Sequence, residues 1–274
     1  MKRRYRSTLI WILVSLFTLA IAYYQRKTGP TYPLNKTVTI ENKEYDYALL
    51  RSKGGKEPAI IKITVPDTSI HGIYKFKRIN HPEDWSLQQM ERDGDELLII
   101  LPPQPPAGKL RYQASLIHKG KIYSLTEAPV VIRFKGSVPL CFLLPHVIIM
   151  FVAMLFSTRT GVEALIKGEK TYIYTKLTVV LFFAGGLILG PVVQKYAFGS
   201  FWAGWPFGQD LTDNKTLLAF VFWLIALLRQ RKNRKRTGWA VVASVVLLLV
   251  YLIPHSMFGS ELDYSTGTIG TGNK

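Results

Sequence analysis

The side chains of this sequence that could do chemistry are its histidines and a dense group of aromatic residues. His146 and His255 are the only two histidines in the apolar C-terminal half, where an imidazole is a functional candidate. The other histidines lie in a polar stretch without metal-ligand spacing: His71, His81 and His118. The single cysteine, Cys141, excludes an intramolecular disulfide and any cysteine-based zinc or iron–sulfur site. With no nucleophile–base arrangement and no Gly-rich phosphate loop, the sequence leans away from an enzyme.

The aromatic residues cluster in a Gly-rich stretch, residues 190–216, which includes Tyr196, Trp202 and Trp205. Aromatic rings offer a broad apolar platform, and glycines let a flat ligand or a backbone segment approach closely. The alternative interpretation is an aromatic belt at a membrane surface with a tight turn. In that interpretation Asp213 or Thr212 is the N-cap of the following helix.

This loop resembles the tryptophan-rich signature of haem-handling membrane proteins in cytochrome c maturation. In that family a Trp-Gly-x-x-Trp-x-Trp-Asp run lies in an outer loop and cradles haem. The matching positions here are Phe198, Gly199, Trp202, Trp205 and Asp210. The sequence departs from the signature, because Phe replaces the first Trp, one extra residue separates the two tryptophans, and residues 206–209 precede the aspartate. The resemblance covers only the loop and its flanking spans.

The same family flanks its signature with two outer-face histidines that can ligate haem iron. The resemblance therefore implies a haem b whose axial metal ligands are His146 and His255, with Phe198, Trp202, Trp205 and Asp210 around it. The alternative is that His146 bonds a neighbouring backbone carbonyl after Pro145 and that His255 is hydrated at the membrane surface. Both interpretations remain open on the sequence.

The elements that must position these residues are membrane spans. Of the 274 residues, 48% are apolar, and they form long runs instead of amphipathic stripes. Five runs are predicted to span a bilayer: residues 8–24, 138–156, 177–193, 217–228 and 239–254. The fourth is short and is predicted to extend back through residues 212–214, with Lys215 reaching outward to the interface. Residues 1–27 are predicted to be an uncleaved anchor, with a signal peptide as the competing interpretation.

The basic clusters predict the orientation of these spans. Alternation from a cytoplasmic N-terminus makes 157–176 and the Arg/Lys-rich segment 229–236 cytoplasmic, as the positive-inside rule requires. These clusters account for much of the formal charge of +17, so no nucleic-acid partner is expected. The expected location is a bacterial inner (cytoplasmic) membrane, with residues 138–256 as a four-helix domain. The polar tail, 257–274, falls outside and is expected to be extended or ordered by a partner.

Residues 36–135 are predicted to be an extracytoplasmic all-β sandwich. Short β-branched and aromatic stretches alternate with turn signals such as Asp93-Gly94-Asp95 and Lys119-Gly120-Lys121. Leu110-Arg111-Tyr112 resembles the tyrosine corner of fibronectin type III and immunoglobulin-like sandwiches, which places Tyr112 at the corner. The fold class expected is thus a membrane α-helical protein of five transmembrane helices with an inserted all-β sandwich.

Two functions follow from this architecture. The first is a non-catalytic membrane subunit or accessory protein whose external sandwich docks other membrane or extracytoplasmic proteins. The second is a b-type haem-binding protein for electron transfer or haem handling at the outer face. A transporter is less favoured, because the spans carry few ionisable groups and show no inverted repeat.

Overall fold

A computed structural model describes residues 2–254 and 259–271. The chain divides into two compact units. One contains the helices and most of the loop between residues 199 and 210, and the other contains the β-strands together with residues 197–199.

The helical unit contains four helices that are long and apolar enough to cross a membrane. They are Tyr5–Thr28, Leu140–Leu165, Thr171–Phe198 and Leu211–Lys232. The helices run as α1 (Lys2–Thr28), α2 (Leu140–Leu165), α3 (Thr171–Phe182), α4 (Gly190–Phe198), α5 (Leu211–Lys232) and α6 (Gly238–Leu252). A π-helical segment, Phe183–Leu189, joins α3 to α4 without a break. Helix α6 is apolar but has 15 residues, which extend about 22 Å against a hydrocarbon core of about 30 Å.

Small and polar side chains fill the interior of the helical unit. Ala219, Ala226, Ala240 and Ala243 are fully buried around Trp223, as expected where helices approach closely without a hydrophobic driving force. Buried hydroxyl and amide groups add interhelical contacts: Gln230 Nε2 to Thr175 Oγ1 at 3.0 Å, and Thr160 Oγ1 to Thr178 Oγ1 at 3.4 Å.

A buried arginine of α2 contacts an aromatic ring of the anchor helix α1. Arg159 Nη1 lies 2.6 Å from the carboxylate of Glu163 one turn away, and both side chains are buried. The Arg159 guanidinium carbon lies 5.5 Å from the Trp11 ring centroid and 5.1 Å from that of Tyr174. Trp11 of α1 is therefore part of an aromatic box around a buried cation.

The β unit is built from two sheets. The strands are β1 (Leu34–Ile40), β2 (Lys43–Leu49), β3 (Ser52–Gly54), β4 (Ala59–Thr64), β5 (His71–Arg78), β6 (Ser86–Gln89), β7 (Glu91–Asp93), β8 (Glu96–Leu101), β9 (Lys109–His118), β10 (Lys121–Ser124) and β11 (Val130–Lys135). Sheet I has the order β1-β2-β4-β8-β7, and sheet II has the order β3-β11-β9-β5-β6 with β10 paired to β9. The turn between β9 and β10 places Lys119 and Gly120 at φ 49° and 76°, as the predicted Lys119-Gly120 turn requires.

The two sheets form a sandwich, because each turns one apolar face toward a shared core. Strands β4, β8 and β9 each bury every second side chain, and these side chains form one apolar core with residues from both sheets. The Tyr112 hydroxyl donates to the Leu50 carbonyl at 2.8 Å, 62 residues earlier in the chain. A tyrosine corner closes its bond over a few residues, whereas Tyr112 ties β9 of sheet II to the end of β2 in sheet I.

The C-terminal tail is ordered on the β unit. Strands β12 (Ser260–Leu262) and β13 (Ile269–Thr271) pair antiparallel. The Leu262 amide donates to the Ala107 carbonyl at 3.1 Å, and Glu261 forms an ion pair with Lys109 at 2.5 Å. The expectation of an extended or partner-ordered tail is thus wrong for residues 260–271, because the stabilising contacts come from residues more than 150 positions earlier.

Candidate functional site

The aromatic loop, residues 199–210, connects α4 to α5 and is held by acidic and amide side chains of α5. The carboxylate of Asp210 accepts from the backbone amides of Thr212 at 2.8 Å and Asp213 at 3.4 Å. Asp210 is therefore the N-cap of α5. The prediction that Asp213 or Thr212 is the N-cap is wrong.

Asp213 instead organises the loop backbone from within the first turn of α5. Its Oδ2 accepts from the Ala203 amide at 2.6 Å, the Gly204 amide at 3.1 Å and Gln194 Nε2 at 3.0 Å. The next residue, Asn214, accepts from the Trp205 amide at 2.6 Å. Three consecutive backbone amides of the loop thus donate hydrogen bonds to two adjacent side chains of α5.

The same arrangement fixes where the aromatic rings point. Trp202 Nε1 donates to the Trp205 carbonyl at 3.0 Å, which closes the turn on itself. A side chain at position 208 would bring its Cβ within 2.3 Å of the Ala203 carbonyl oxygen, so Gly208 is needed for this close approach. Phe201, Trp205 and Phe207 remain 57%, 69% and 83% exposed. The loop is a rigid support for three exposed aromatic side chains.

The start of α5 also holds a buried cation. Lys215 is 5% exposed, and its Nζ donates to the Ile253 carbonyl at 2.5 Å. This carbonyl lies just past the end of α6 and lacks a helical partner. Lys215 therefore joins the start of α5 to the end of α6. Its reach outward to a membrane interface stays a prediction.

Phe198 and the two tryptophans predicted to share a haem site with it belong to different compact units. Phe198 belongs to the β unit, where the guanidinium carbon of Arg133 lies 4.1 Å from its ring centroid. Trp202, Trp205 and Asp210 belong to the helical unit. His255 lies outside the described residues.

His146 bonds a backbone carbonyl, but on a different helix from the one expected. Its Nδ1 lies 2.9 Å from the Gly185 carbonyl oxygen in the π-helical segment. The same oxygen also accepts the Gly190 amide in the wide i to i+5 bond of this segment. Because a carbonyl can only accept, Nδ1 carries the proton and Nε2 carries the lone pair. Such a backbone bond is a common way to orient an imidazole whose Nε2 ligates a metal.

Several residues that shape this site carry little local sequence signal for their role. Gln194, Asn214 and Gly185 act through bonds to partners that are 9 to 39 residues away in the chain. The only local signal is the Asp-Leu-Thr-Asp-Asn run, whose side chains favour helix N-termini and turns. Within residues 2–254 and 259–271, no group of three or more His, Cys, Asp or Glu side chains is arranged to hold a metal ion. No protein-family model and no curated protein matches this sequence.

Proposed function

We propose that this chain is a non-catalytic membrane-anchored docking protein, whose β unit binds other membrane or extracytoplasmic proteins. The observation that carries this proposal is the exposure of three large apolar side chains on the outer face of sheet II, on strands β6, β10 and β11. Leu87 is 67% exposed, Ile122 is 63% exposed and Val131 is 39% exposed. Large exposed apolar side chains that share one face of a sheet favour an interaction site on that face.

The proposed topology has five spans, with the β unit and the C-terminal strands outside. Its support comes from the number of membrane crossings between the two places where the chain belongs to the β unit. The chain leaves the β unit after residue 137 and is back on it at Ser260, where Glu261 pairs with Lys109. Both ends therefore lie on one side of the membrane, so the number of crossings between them is even. Helix α2, the continuous helix Thr171–Phe198 and α5 account for three crossings, and α6 supplies the fourth.

The end of α4 gives an independent check of this parity. Gly136 donates to the Ala197 carbonyl at 2.9 Å within the β unit, so the second of these crossings ends on the side of the β unit. Impermeant maleimide labelling of a cysteine at position 265 but not at position 233, in a Cys141→Ser background, is the result that the topology requires. Equal labelling of the two positions from the outside contradicts it.

Site-specific photo-crosslinking tests the docking function in the intact membrane. A photoreactive residue at position 87 or 122 should give discrete adducts with partner proteins. The matched control is position 60, since Ile60 is also exposed, at 48%, but lies on sheet I. Absence of adducts at 87 and 122, or the same adducts at 60, refutes docking through this sheet.

The second candidate function is b-type haem binding at the outer face, and the His146 geometry favours it. A haem b bound here would supply one-electron redox chemistry, and His146 would hold its iron through Nε2. Protein purified with haem available should then show a sharp reduced b-type absorption band that His146→Ala abolishes. A featureless visible spectrum refutes this function.

A further inference from the structure

The register of sheet II shows which side chains share its outer face. Lys75 lies opposite Leu87 on one side and Gln113 on the other. Lys77 lies opposite Arg111, which in turn lies opposite Val131. Because directly opposed residues project from the same face of a sheet, these basic and apolar side chains form one continuous surface.

The two sheets differ sharply in charge. The six strands β3, β5, β6, β9, β10 and β11 contain nine Lys or Arg residues and no Asp or Glu. The five strands of sheet I contain four Lys or Arg and five Asp or Glu. Five of the cations of sheet II project outward from the core on β5, β9 and β11: Lys75, Lys77, Lys109, Arg111 and Lys135. Arg133 of β11 is buried.

Three of these cations form no ion pair with any of the described residues: Lys75, Lys77 and Arg111. The two lysines lie over the ring of Trp85, with Nζ to centroid distances of 5.0 and 5.4 Å. Lys77 and Arg111 are directly opposed, and like charges in this position oppose folding. An arrangement that weakens the free protein is expected where a partner supplies the missing negative charge.

The chain itself shows what this sheet binds. The C-terminal segment places Glu261 on Lys109, where the two side chains are only 10% and 18% exposed. It also places the Tyr264 ring 5.1 Å from the Arg78 guanidinium carbon. Burial raises the pKa of Tyr264 to about 12, although the Lys109 backbone and the Arg78 charge act in the opposite direction, so this hydroxyl stays protonated. An acidic segment with apolar side chains is thus already docked at one end of sheet II.

We infer that the rest of this outer face binds an acidic, amphipathic segment of a partner protein, with carboxylates on Lys75, Lys77 and Arg111 and apolar side chains on Leu87 and Val131. This inference rests on the proposed docking function and names its partner class. A protein segment fits better than a membrane surface, because the centre of the face carries the amide and hydroxyl groups of Gln113 and Ser115. Penetration into lipid needs a continuous apolar face.

The test uses the full chain in phosphatidylcholine nanodiscs and a fluorescein-labelled 12-residue peptide of alternating Glu and Leu. The sheet II variant is Lys75→Gln/Lys77→Gln/Arg111→Gln, and the matched variant is Lys36→Gln/Lys43→Gln/Lys56→Gln. Both remove three exposed or half-buried positive charges from the β unit. Each retains the cytoplasmic basic segment 229–236, so any adventitious peptide binding there is the same in both. The sheet II variant removes like-charge repulsion and should fold at least as well as the parent.

We expect the sheet II variant to weaken peptide binding at least tenfold and the matched variant to change it less than twofold. A peptide of alternating Lys and Leu should not bind measurably to the parent. Equal weakening by both variants, or no peptide binding by the parent, overturns the inference. A membrane-binding result also overturns the inference. In that result the parent floats with phosphatidylglycerol vesicles, the sheet II variant does not, and the peptide does not bind. If crosslinks at position 87 persist when the peptide test fails, the docking function stands and only the partner class is wrong.

Discussion

Replacing Asp213 with alanine tests whether the aromatic loop is held by α5. The carboxylate accepts three hydrogen bonds, and two of the donors are the buried amides of Ala203 and Gly204. A buried donor that loses its partner costs about 1–3 kcal/mol, so the two amides together cost about 2–6 kcal/mol. Taking about 3 kcal/mol, the local opening equilibrium of the loop rises about 150-fold.

Hydrogen exchange measured by mass spectrometry on reconstituted protein reports this opening directly. Peptides that cover residues 199–210 should exchange about two orders of magnitude faster in Asp213→Ala than in the parent. Asp213→Asn should give a smaller acceleration, because its amide oxygen can still accept from the backbone. Asp84→Ala is the matched control, since Asp84 is an exposed acid outside the loop. Exchange of the loop that stays within about threefold of the parent in Asp213→Ala refutes the reasoning.

Three further predictions concern single interactions. Tyr112→Phe leaves the Leu50 carbonyl without its donor, and should lower the unfolding free energy of the β unit by about 1–2 kcal/mol in chemical denaturation. Arg159→Met leaves Glu163 as an uncompensated buried charge, so it should destabilise the helices by about 3–5 kcal/mol, and the double variant with Glu163→Gln should recover most of that loss. Hydrogen bonds from Ser265 hold the pKa of Asp263 below its usual range, so the stability it contributes is present at neutral pH and is lost as the pH falls through its folded-state pKa. Hydrogen exchange of residues 260–271 should therefore accelerate in acid in the parent, and much less in Asp263→Asn.

The sequence predicted those elements whose pattern is local and periodic. Glu96–Leu101 is predicted as a strand and is β8 with the same bounds, because its Leu and Ile side chains favour an extended strand that buries every second residue. The backward extension of the fourth span is confirmed, since α5 begins at Leu211. The predicted span 177–193 is shorter than the helix Thr171–Phe198. The two ends of the observed helix contain Lys and Tyr residues. These residues lower the local hydropathy, but the backbone there is still helical.

Elements stabilised by distant partners were not predictable in this way. The short strands β6 and β7 are polar and show no alternation, and β6 pairs with β5 across a loop of seven residues. The C-terminal strands depend on Lys109 and Ala107. In the aromatic loop, three residues that could cap α5 lie within four positions. Asp213 does not cap α5 because its carboxylate accepts from the backbone amides of residues 203 and 204. Only the folded loop brings these amides close to it.

The π-helical segment gives the helix Thr171–Phe198 one place where a change in length can be absorbed. A π-helical turn accommodates one extra residue within an α-helix. Deleting Gly186 would therefore turn the wide bond from the Gly190 amide to the Gly185 carbonyl into an ordinary i to i+4 bond, and Gln194 would keep its direction toward Asp213. The same deletion in the regular helix α3 would turn every residue beyond it by about 100° relative to the residues before it. The position of a single-codon deletion should thus decide whether Gln194 still reaches the loop.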